Sequence, residues 1–197
     1  MEIILATRNR NKVDEIRKIL DVMGSNFPIL TPDDFPACKD VDEDGETFEE
    51  NAVKKAEYFF KHTGKISIAD DSGLEVKALN GAPGVYSARY AGEFANDDTN
   101  TRKLLEDMKG ITYEERRARF VCCIAVVSKD GLKTFTGIVN GRIGIEKRGA
   151  SGFGYDPVFY PDGYGVTFAE MGYEEKNSMS HRAIALKKLQ KYLLGNA

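Results

Sequence analysis

Two neighbouring carboxylates that follow a short apolar segment are the feature of this sequence with the clearest chemical potential. Ile66 to Ala69 predicts a buried strand, and Asp70 and Asp71 come directly after it. Open α/β sheets bind their ligands at the carboxyl ends of strands. Carboxylate oxygens suit Mg²⁺ or Mn²⁺, with water and substrate phosphates completing the coordination. The pair therefore predicts a divalent-metal site, and an ordinary turn is the alternative interpretation.

An acidic loop supplies further candidate ligands. It runs from Asp40 to Glu46 and precedes a helix that Thr47 is predicted to cap, with Glu50 reaching back to complete a capping box. At about 100° per residue, Lys55 falls at the edge of the apolar stripe of this helix, whereas Lys54 points further outwards. Lys55 is therefore a candidate to reach the carboxylates. A solvated loop and a lysine that lies along the edge of the core are the alternatives.

Positive side chains occupy the starts of two predicted helices, where the helix dipole favours negative charge. Ser180, His181 and Arg182 begin the last helix, and a second basic segment links the first strand to the first helix. An anion bound at these positions would remove the electrostatic penalty, so both segments predict contact with phosphate groups. The P-loop pattern is absent, and a solvated loop is the alternative. The candidate ligands in the segment between the first strand and the first helix are Thr7, Arg8, Asn9, Arg10, Asn11 and Lys12.

A glycine-rich segment near the C-terminal third combines aromatic and charged side chains. Phe153, Gly154, Tyr155 and Asp156 are consecutive, and Lys176 follows them. The aromatic side chains offer a flat apolar surface, and the glycine lets a ligand approach the backbone closely. The segment is therefore a candidate ligand site.

The pattern of apolar residues indicates the elements that must position these side chains. Strand and helix segments alternate at first, and two later strands flank a turn at Asp130 and Gly131. This order predicts an α/β fold with a mixed β-sheet, flanking helices and two lobes around a central cleft. The predicted strands are Ile3 to Ala6, Phe27 to Leu30, Ile66 to Ala69, Arg119 to Ser128 and Lys133 to Asn140. Helices are predicted after Asn11, from Thr47 to Gly64, from Asp97 to Met108 and from Ser180.

Composition excludes several classes of function. The net charge of -3 does not favour general binding to nucleic acid or to an anionic membrane. The cysteines, Cys38, Cys122 and Cys123, form no CxxC pair, and the histidines are His62 and His181. No signal peptide and no membrane-spanning run is evident. We therefore expect a reduced, cytoplasmic protein without structural disulfides or zinc.

Taken in order, these segments resemble the Ham1-like inosine triphosphate pyrophosphatase family over nearly the whole chain. The matching segments are Thr7-x-Asn9-x-x-Lys12, Thr47-Phe48-x-Glu50-Asn51-Ala52, Ala69-Asp70-Asp71-Ser72-Gly73-Leu74, Gly81-Ala82-Pro83-Gly84-Val85-Tyr86-Ser87-Ala88-Arg89, Phe153-Gly154-Tyr155-Asp156-Pro157 and Ser180-His181-Arg182. Each segment is short, but six in the same order make the resemblance specific.

The resemblance implies a Mg²⁺-dependent hydrolase that converts ITP, dITP and XTP to monophosphates and pyrophosphate. It also implies one elongated two-lobed domain over residues 1–197, assembled as a homodimer. Asp71 would accept a proton from the attacking water, and Glu43 with Asp71 would hold Mg²⁺. Asp42, Asp44 and Glu46 are alternatives to Glu43, because the loop contains several acids.

The same resemblance assigns substrate contacts. Residues 7–12 and Lys55 would bind the phosphates, and Ser72 would also contact the substrate. The nucleoside pocket would contain Phe153, Gly154, Tyr155, Asp156, Lys176, His181 and Arg182. Because an arginine only donates hydrogen bonds, Arg182 would favour a 6-oxo purine over adenine. This argument does not explain how guanine is rejected.

Two other functions fit parts of the same pattern. A Maf-like nucleotide pyrophosphatase would act on other modified or pyrimidine nucleotides, but the glycine-rich aromatic segment and Ser180-His181-Arg182 argue against it. A nucleotide sensor or nucleic-acid-binding module would use the phosphate contacts without catalysis. The acidic balance and the paired carboxylates favour hydrolysis over both kinds of binding protein.

Overall fold

The computed structural model describes residues 2–24 and 28–195, which form a six-stranded sheet with helices beside it. The strands are β1 (Ile3–Leu5), β2 (Ile29–Leu30), β3 (Ile66–Val76), β4 (Arg117–Ser128), β5 (Gly131–Ile143) and β6 (Phe159–Pro161). The helices are α1 (Arg10–Val22), α2 (Phe48–Thr63), α3 (Asp97–Asp107), α4 (Tyr173–Met179) and α5 (His181–Leu193), with short 3₁₀ turns between some elements. The predicted α/β fold is confirmed.

The sheet is mixed, as predicted, with the strand order β2-β1-β3-β4-β5-β6. Strand β1 pairs in parallel with both β2 and β3, and β5 pairs antiparallel with β6. Strands β4 and β5 are neighbours joined by Lys129 and Asp130, a connection short enough only for a hairpin. The predicted hairpin is confirmed, although both strands are longer than expected. Phe27, the predicted start of the second strand, lies outside the described residues.

Strand β3 differs from its prediction, because it continues through the acidic pair instead of ending before it. It runs to Val76, and Leu74 and Val76 are fully buried. Sequence analysis placed the end at Ala69 because Asp, Ser and Gly disfavour strands. Pairing in the sheet and burial of the later apolar side chains outweigh that local preference. The parallel partner β1 does end here, since Leu5 pairs with Ile68, so Asp70 lies just beyond the carboxyl end of β1.

The chain divides into two compact units. Unit 1 comprises Met1–Asp71, Cys122–Gly137 and His181–Ala197, and unit 2 comprises Ser72–Val121 and Ile138–Ser180. The core of unit 1 combines the apolar faces of β1, α1, β3, β4 and α5. Its most buried large side chains include Ile19, Ile124, Leu186 and Leu189. In unit 2, the rings of Phe120, Phe159 and Phe168 pack together at centroid separations of 4.6 to 6.0 Å.

Local signals fix the ends of α2. The Thr47 side chain accepts a hydrogen bond from the Glu50 N–H, and Gly64 ends the helix in the left-handed conformation with φ of 66°. The predicted capping box is only half correct, because the Glu50 carboxylate accepts from the N–H of Glu46 instead of that of Thr47. Glu50 thereby stabilises the end of the acidic loop as well as the helix.

Three further observations concern the chain as a whole. Helix α4 was not predicted, and it lies just before α5 in the sequence. The three cysteines are buried free thiols. Among the residues described, no helix combines the length and the apolar character that crossing a membrane requires.

Candidate functional site

Asp70 is the centre of a buried charge cluster in unit 1. Its side chain is fully buried, and the Lys12 Nζ lies 3.4 Å from its Oδ1. The Arg182 Nη2 and Nε donate to its Oδ2 at 3.0 and 3.3 Å. Burial alone would raise the pKa of Asp70, but the positive charges of Lys12, Arg182 and Lys55 hold it well below its usual range. Asp70 is therefore an anion at neutral pH, and cations from three helices surround it.

Lys55 links the acidic loop to the strand that carries both aspartates. Its Nζ donates to the Glu43 carboxylate and, at 2.8 Å, to the Asp70 carbonyl oxygen, and it lies 3.7 Å from Asp71 Oδ1. Burial opposes its charge, but the carboxylates of Asp71, Glu43 and Asp70 outweigh that effect and raise the pKa of Lys55. The expectation that Lys55 points inwards is confirmed, and Lys54 pairs with Asp44 at the surface.

These contacts distinguish the acids of the loop from one another. The Glu43 carboxylate joins Lys55 and so lies near Asp71. Asp44 instead pairs with the exposed Lys54, and its side chain is 72% exposed. Of these two acids, Glu43 is thus the one whose carboxylate lies beside the buried aspartates. The metal-binding role that the family resemblance implies for Glu43 stays a prediction.

Asn51 is a site residue that sequence analysis did not single out. Its Nδ2 donates to Asp71 Oδ2 at 3.2 Å, and its Oδ1 accepts from the Gly45 N–H at 2.8 Å. A Cβ at Gly45 would lie 2.8 Å from that same Oδ1, so only glycine fits there without displacing Asn51. The side chain therefore fixes both Asp71 and the end of the acidic loop. Its place one turn before Lys55 on α2 was the available sequence signal.

Asp71 is buried and surrounded by both signs of charge. Burial raises the pKa of Asp71, and the negative charges of Glu43 and Asp70 add to this effect, while Lys55 and Lys12 oppose it. Within the described residues, no group of three or more His, Cys, Asp or Glu side chains is arranged to hold a metal. The site offers the two carboxylates of Glu43 and Asp71 around one cationic position, now taken by the Lys55 ammonium. This donor set fits Mg²⁺, which keeps several water or phosphate ligands.

Glu15 is the second residue that sequence analysis missed. It lies on the buried face of α1, one turn after Lys12, and its side chain is 6% exposed. Its carboxylate accepts from Arg182 Nη1, so Arg182 lies between Glu15 and Asp70. These carboxylates outweigh the effect of burial and raise the pKa of Arg182 further above its already high value. The only available signal was an acid on an apolar helix face.

The predicted phosphate segment places its residues in different environments. Asn9 caps α1 by accepting from the Lys12 N–H at 3.2 Å, and Thr7 Oγ1 accepts from the Asn9 N–H. Arg8 turns towards a neighbouring loop, where it pairs with Asp33 and Asp40. Of the basic residues here, Lys12 is the one whose ammonium approaches Asp70. The remaining candidates, Arg10 and Asn11, are exposed at the start of the helix.

The glycine-rich aromatic segment lies in unit 2 and is held by its own aspartate. Asp156 Oδ2 accepts from the Phe153 N–H at 2.9 Å and from Lys176 Nζ at 2.6 Å. The Lys176 ammonium also lies 5.2 Å from the centroid of the Phe153 ring. Tyr155 is buried, and its hydroxyl donates to the Ser87 carbonyl oxygen at 2.9 Å. Lys176, Phe153 and Asp156 thus form one contact group, whereas Tyr155 anchors the segment.

The predicted nucleoside residues do not all belong to the same unit. His181 and Arg182 are part of unit 1, at the start of α5, and Lys176 and Phe153 are part of unit 2. In unit 1 the guanidinium of Arg182 faces Asp70 and Glu15. Ser72 is the first residue of unit 2 and follows Asp71 in β3.

The sequence matches the family model described as the Ham1 family over residues 3–192. The chain belongs to the Ham1 family. Its relatives include proteins named dITP/XTP pyrophosphatase from Geobacter sulfurreducens, with 50% identity over 97% of this chain and 96% of that protein, and from Bacillus subtilis, with 49% identity over 98% and 96%. The family resemblance inferred from the sequence motifs is confirmed.

Solved Ham1 structures show the same fold. The Staphylococcus aureus Ham1 protein superposes with a TM-score of 0.89 and 43% identity, with all of both chains covered. A structure described as nucleoside-triphosphatase / dITP/XTP pyrophosphatase from Mycobacterium abscessus gives a TM-score of 0.79 and 42% identity, covering 98% of this chain and 100% of that one. The mixed sheet and its helices are therefore those of a Ham1 protein.

Proposed function

We propose that this Ham1 protein is a nucleoside triphosphate pyrophosphatase that removes ITP, dITP and XTP from the nucleotide pool. The observation that carries the proposal is the buried cluster in unit 1, where Lys12 and Lys55 meet Asp70 and Asp71. Cations beside ionised carboxylates suit a reaction in which a polyanion is attacked by water. The names of the relatives, dITP/XTP pyrophosphatase, support the same substrates.

The reaction is a hydrolysis at the α-phosphorus. A bond forms between the water oxygen and the α-phosphorus, and the bond from that phosphorus to the bridging oxygen of the β-phosphate breaks. Pyrophosphate leaves, and the monophosphate remains. Asp71 accepts the proton of the water and thus acts as the general base. Lys12 and Lys55 reduce the repulsion between the triphosphate and its attacker.

The metal of this reaction is Mg²⁺, and Glu43 and Asp71 would hold it. Support comes from the two carboxylates that already share one cation, the ammonium of Lys55. When bound, Mg²⁺ would supply positive charge next to the phosphate oxygens. Asn51 keeps Asp71 in its orientation by donating to Oδ2.

The substrate contacts are those implied by the family resemblance. Residues 7–12 and Lys55 bind the phosphates, and Ser72 contacts the substrate close to Asp71. Phe153 stacks on the base, while Gly154, Tyr155, Asp156 and Lys176 complete this part of the nucleoside site. His181 and Arg182 contribute from the start of α5. Support for the aromatic part is the ring of Phe153 next to Lys176.

Arg182 supplies the preference for a 6-oxo purine. A guanidinium carries only donors, so it matches an oxygen at position 6 and mismatches the amino group of adenine. The Arg182 side chain is 1% exposed, and its three guanidinium nitrogens donate to Asp70 and Glu15, so support for this preference comes from the family resemblance alone. The protein acts as a homodimer, and the support for this is the family resemblance. It acts in the cytoplasm without nucleic acid or membrane partners, and the supports for this are the unpaired cysteines and the net charge of -3.

The test is release of pyrophosphate from ITP by the purified full-length protein in the presence of Mg²⁺. We expect turnover with ITP, dITP and XTP, little with ATP, and none after addition of EDTA. Binding of ITP without release of pyrophosphate would show a nucleotide sensor instead of an enzyme. Faster turnover of dTTP or 7-methyl-GTP than of ITP and XTP would show a Maf-like specificity.

A further inference from the structure

The first turn of α3 forms hydrogen bonds with the aromatic segment of unit 2, residues 153–156. The Gly154 N–H donates to Asp97 Oδ2 at 2.7 Å. The hydroxyl of Thr101, one turn further along α3, lies 2.7 Å from the Asp97 carbonyl oxygen and 3.3 Å from that of Gly154. Both backbone groups of Gly154 therefore face α3.

We propose that Asp97 is a positioning residue for nucleotide binding, because it fixes the backbone of the segment that carries Phe153. The inference rests on the proposed function, since it gives the Phe153 segment the role of a nucleoside site. In this proposal Asp97 has no contact with the substrate. Its carboxylate acts through the Gly154 N–H, and thereby through the orientation of the Phe153 ring.

The segment needs such a contact because its own sequence leaves the backbone free to move. Gly149, Gly152 and Gly154 all have positive φ, with values of 80°, 77° and 62°. Glycine loses more conformational freedom than any other residue when it is fixed in one conformation. Asp156 holds the Phe153 N–H within the segment, and Asp97 holds the next N–H from another element. Two consecutive N–H groups are thus fixed by two different carboxylates.

Helix α3 is itself a fixed support. Its N-cap is Asn96, whose side chain accepts from the Thr99 N–H. Asn100 is buried, donates to the Ala88 carbonyl oxygen and accepts from the Ala91 N–H. The bond to Ala88 joins α3 to the Gly81–Arg89 motif, which has no role in the proposed reaction. The motif therefore contributes to the nucleoside site by holding α3 in place.

The neighbour of Asp97 provides a matched control. Asp98 lies in the same turn but pairs with Lys147 and Arg102, and no bond between it and the aromatic segment is present in the described structure. Replacing either aspartate by alanine removes one negative charge from the start of the same helix. Only the change at Asp97 removes the acceptor of the Gly154 N–H.

The experiment compares Asp97→Ala with Asp98→Ala and Asp97→Asn in the full-length protein, with ITP and Mg²⁺. In Asp97→Ala, we expect the KM for ITP to rise about threefold to tenfold, because an exposed hydrogen bond to a charged group is lost. We expect kcat to change less than twofold, because loss of binding shared by the ground and transition states raises KM alone. Asp97→Asn keeps an oxygen acceptor and should restore most of the KM, and Asp98→Ala should match the wild type.

A second readout does not depend on turnover. Amide hydrogen exchange, followed by mass spectrometry, should be faster for a peptide containing Gly154 in Asp97→Ala than in Asp98→Ala. Equal exchange or an equal KM in the two alanine variants would overturn the positioning role. If the wild type released no pyrophosphate, the proposed function would fail, while the exchange comparison would still decide whether Asp97 fixes the segment.

Discussion

At the scale of single residues, burial of the charge on Asp70 destabilises the fold, whereas its ion pairs stabilise it. Burying an ion is unfavourable, and removing one partner of a buried pair leaves the other charge uncompensated. Lys12 and Arg182 both approach the Asp70 carboxylate, which has no exposed surface. The stability of unit 1 therefore depends on the negative charge of Asp70.

Asp70→Asn should lower the free energy of unfolding by about 3 kcal/mol at pH 7, because Arg182 and Lys12 would lose a buried counter-ion. Urea denaturation measures this difference. The folded-state pKa of Asp70 is depressed, so its contribution is present above the unfolded pKa and is lost as the pH falls through the folded pKa. The deficit should thus stay constant above about pH 5 and shrink below about pH 4.

The matched control is Asp44→Asn, which removes an exposed carboxylate that pairs with Lys54. We expect little change in unfolding for this variant, because solvent screens exposed ion pairs. Equal effects of the two substitutions would contradict the importance of burial at Asp70.

Asp71→Asn should lower kcat for ITP by a factor of about 10² to 10⁴, the usual range for loss of a general base. Binding of ITP should remain, because the cations at Lys12 and Lys55 are unchanged. Steady-state pyrophosphate release and equilibrium binding give the two quantities. A variant that turned over ITP at the wild-type rate would show that another group accepts the proton.

At the scale of elements, the start of α5 lies directly on β5. A Cβ built at Gly137 would lie 2.0 Å from the His181 carbonyl oxygen and 2.7 Å from the Ala185 nitrogen. Only a glycine lets the backbone of α5 come this close to the strand. This short distance between α5 and β5 determines how deeply the side chains of His181 and Arg182 are buried in unit 1.

Gly137→Ala should therefore destabilise the protein by about 1 to 3 kcal/mol, since the helix backbone must shift to make room. Thermal or urea unfolding gives the value. Gly165→Ala is the control, because a Cβ there meets no atom within 4 Å. A Gly137→Ala variant as stable as the control would mean that α5 moves away at no cost.

The sequence predicted most elements because their apolar patterns are regular. The stripe of α2 correctly distinguished Lys55 from Lys54, and the last helix begins within one residue of its predicted start. Helix α4 was missed and strand β3 was predicted too short, because tertiary burial overrides weak local propensity there. Glu15 was missed for a different reason. No local pattern shows that an acid on a buried helix face meets Arg182, which is 167 positions away.

At the scale of the whole molecule, a negative net charge coexists with a local group of positive side chains. The chain carries -3, yet Lys12, Lys55 and Arg182 converge in unit 1 on the carboxylates of the candidate site. Specific neutralisation of a polyanion needs such a local arrangement. It does not require a positive net charge. The composition predicts no general binding to nucleic acid, but it could not show where the cations meet.

The proposed homodimer is a prediction for the intact protein in solution. Sedimentation equilibrium should give twice the chain mass of 21.9 kDa at micromolar concentration. A single species of one chain mass over that range would contradict the prediction. Addition of ITP and Mg²⁺ in a parallel sample would test whether the substrate changes the association.

The order of the segments in unit 1 has a consequence for how the protein is made on the ribosome. Asp70 and Lys12 emerge early, but Arg182 follows Asp70 by 112 positions and belongs to α5. A nascent chain therefore exposes an unfinished core and an incompletely neutralised carboxylate until α5 has been synthesised. A premature stop codon shortly before residue 181 would leave the product in that state permanently, so we expect such truncated chains to be degraded or to aggregate in the cell.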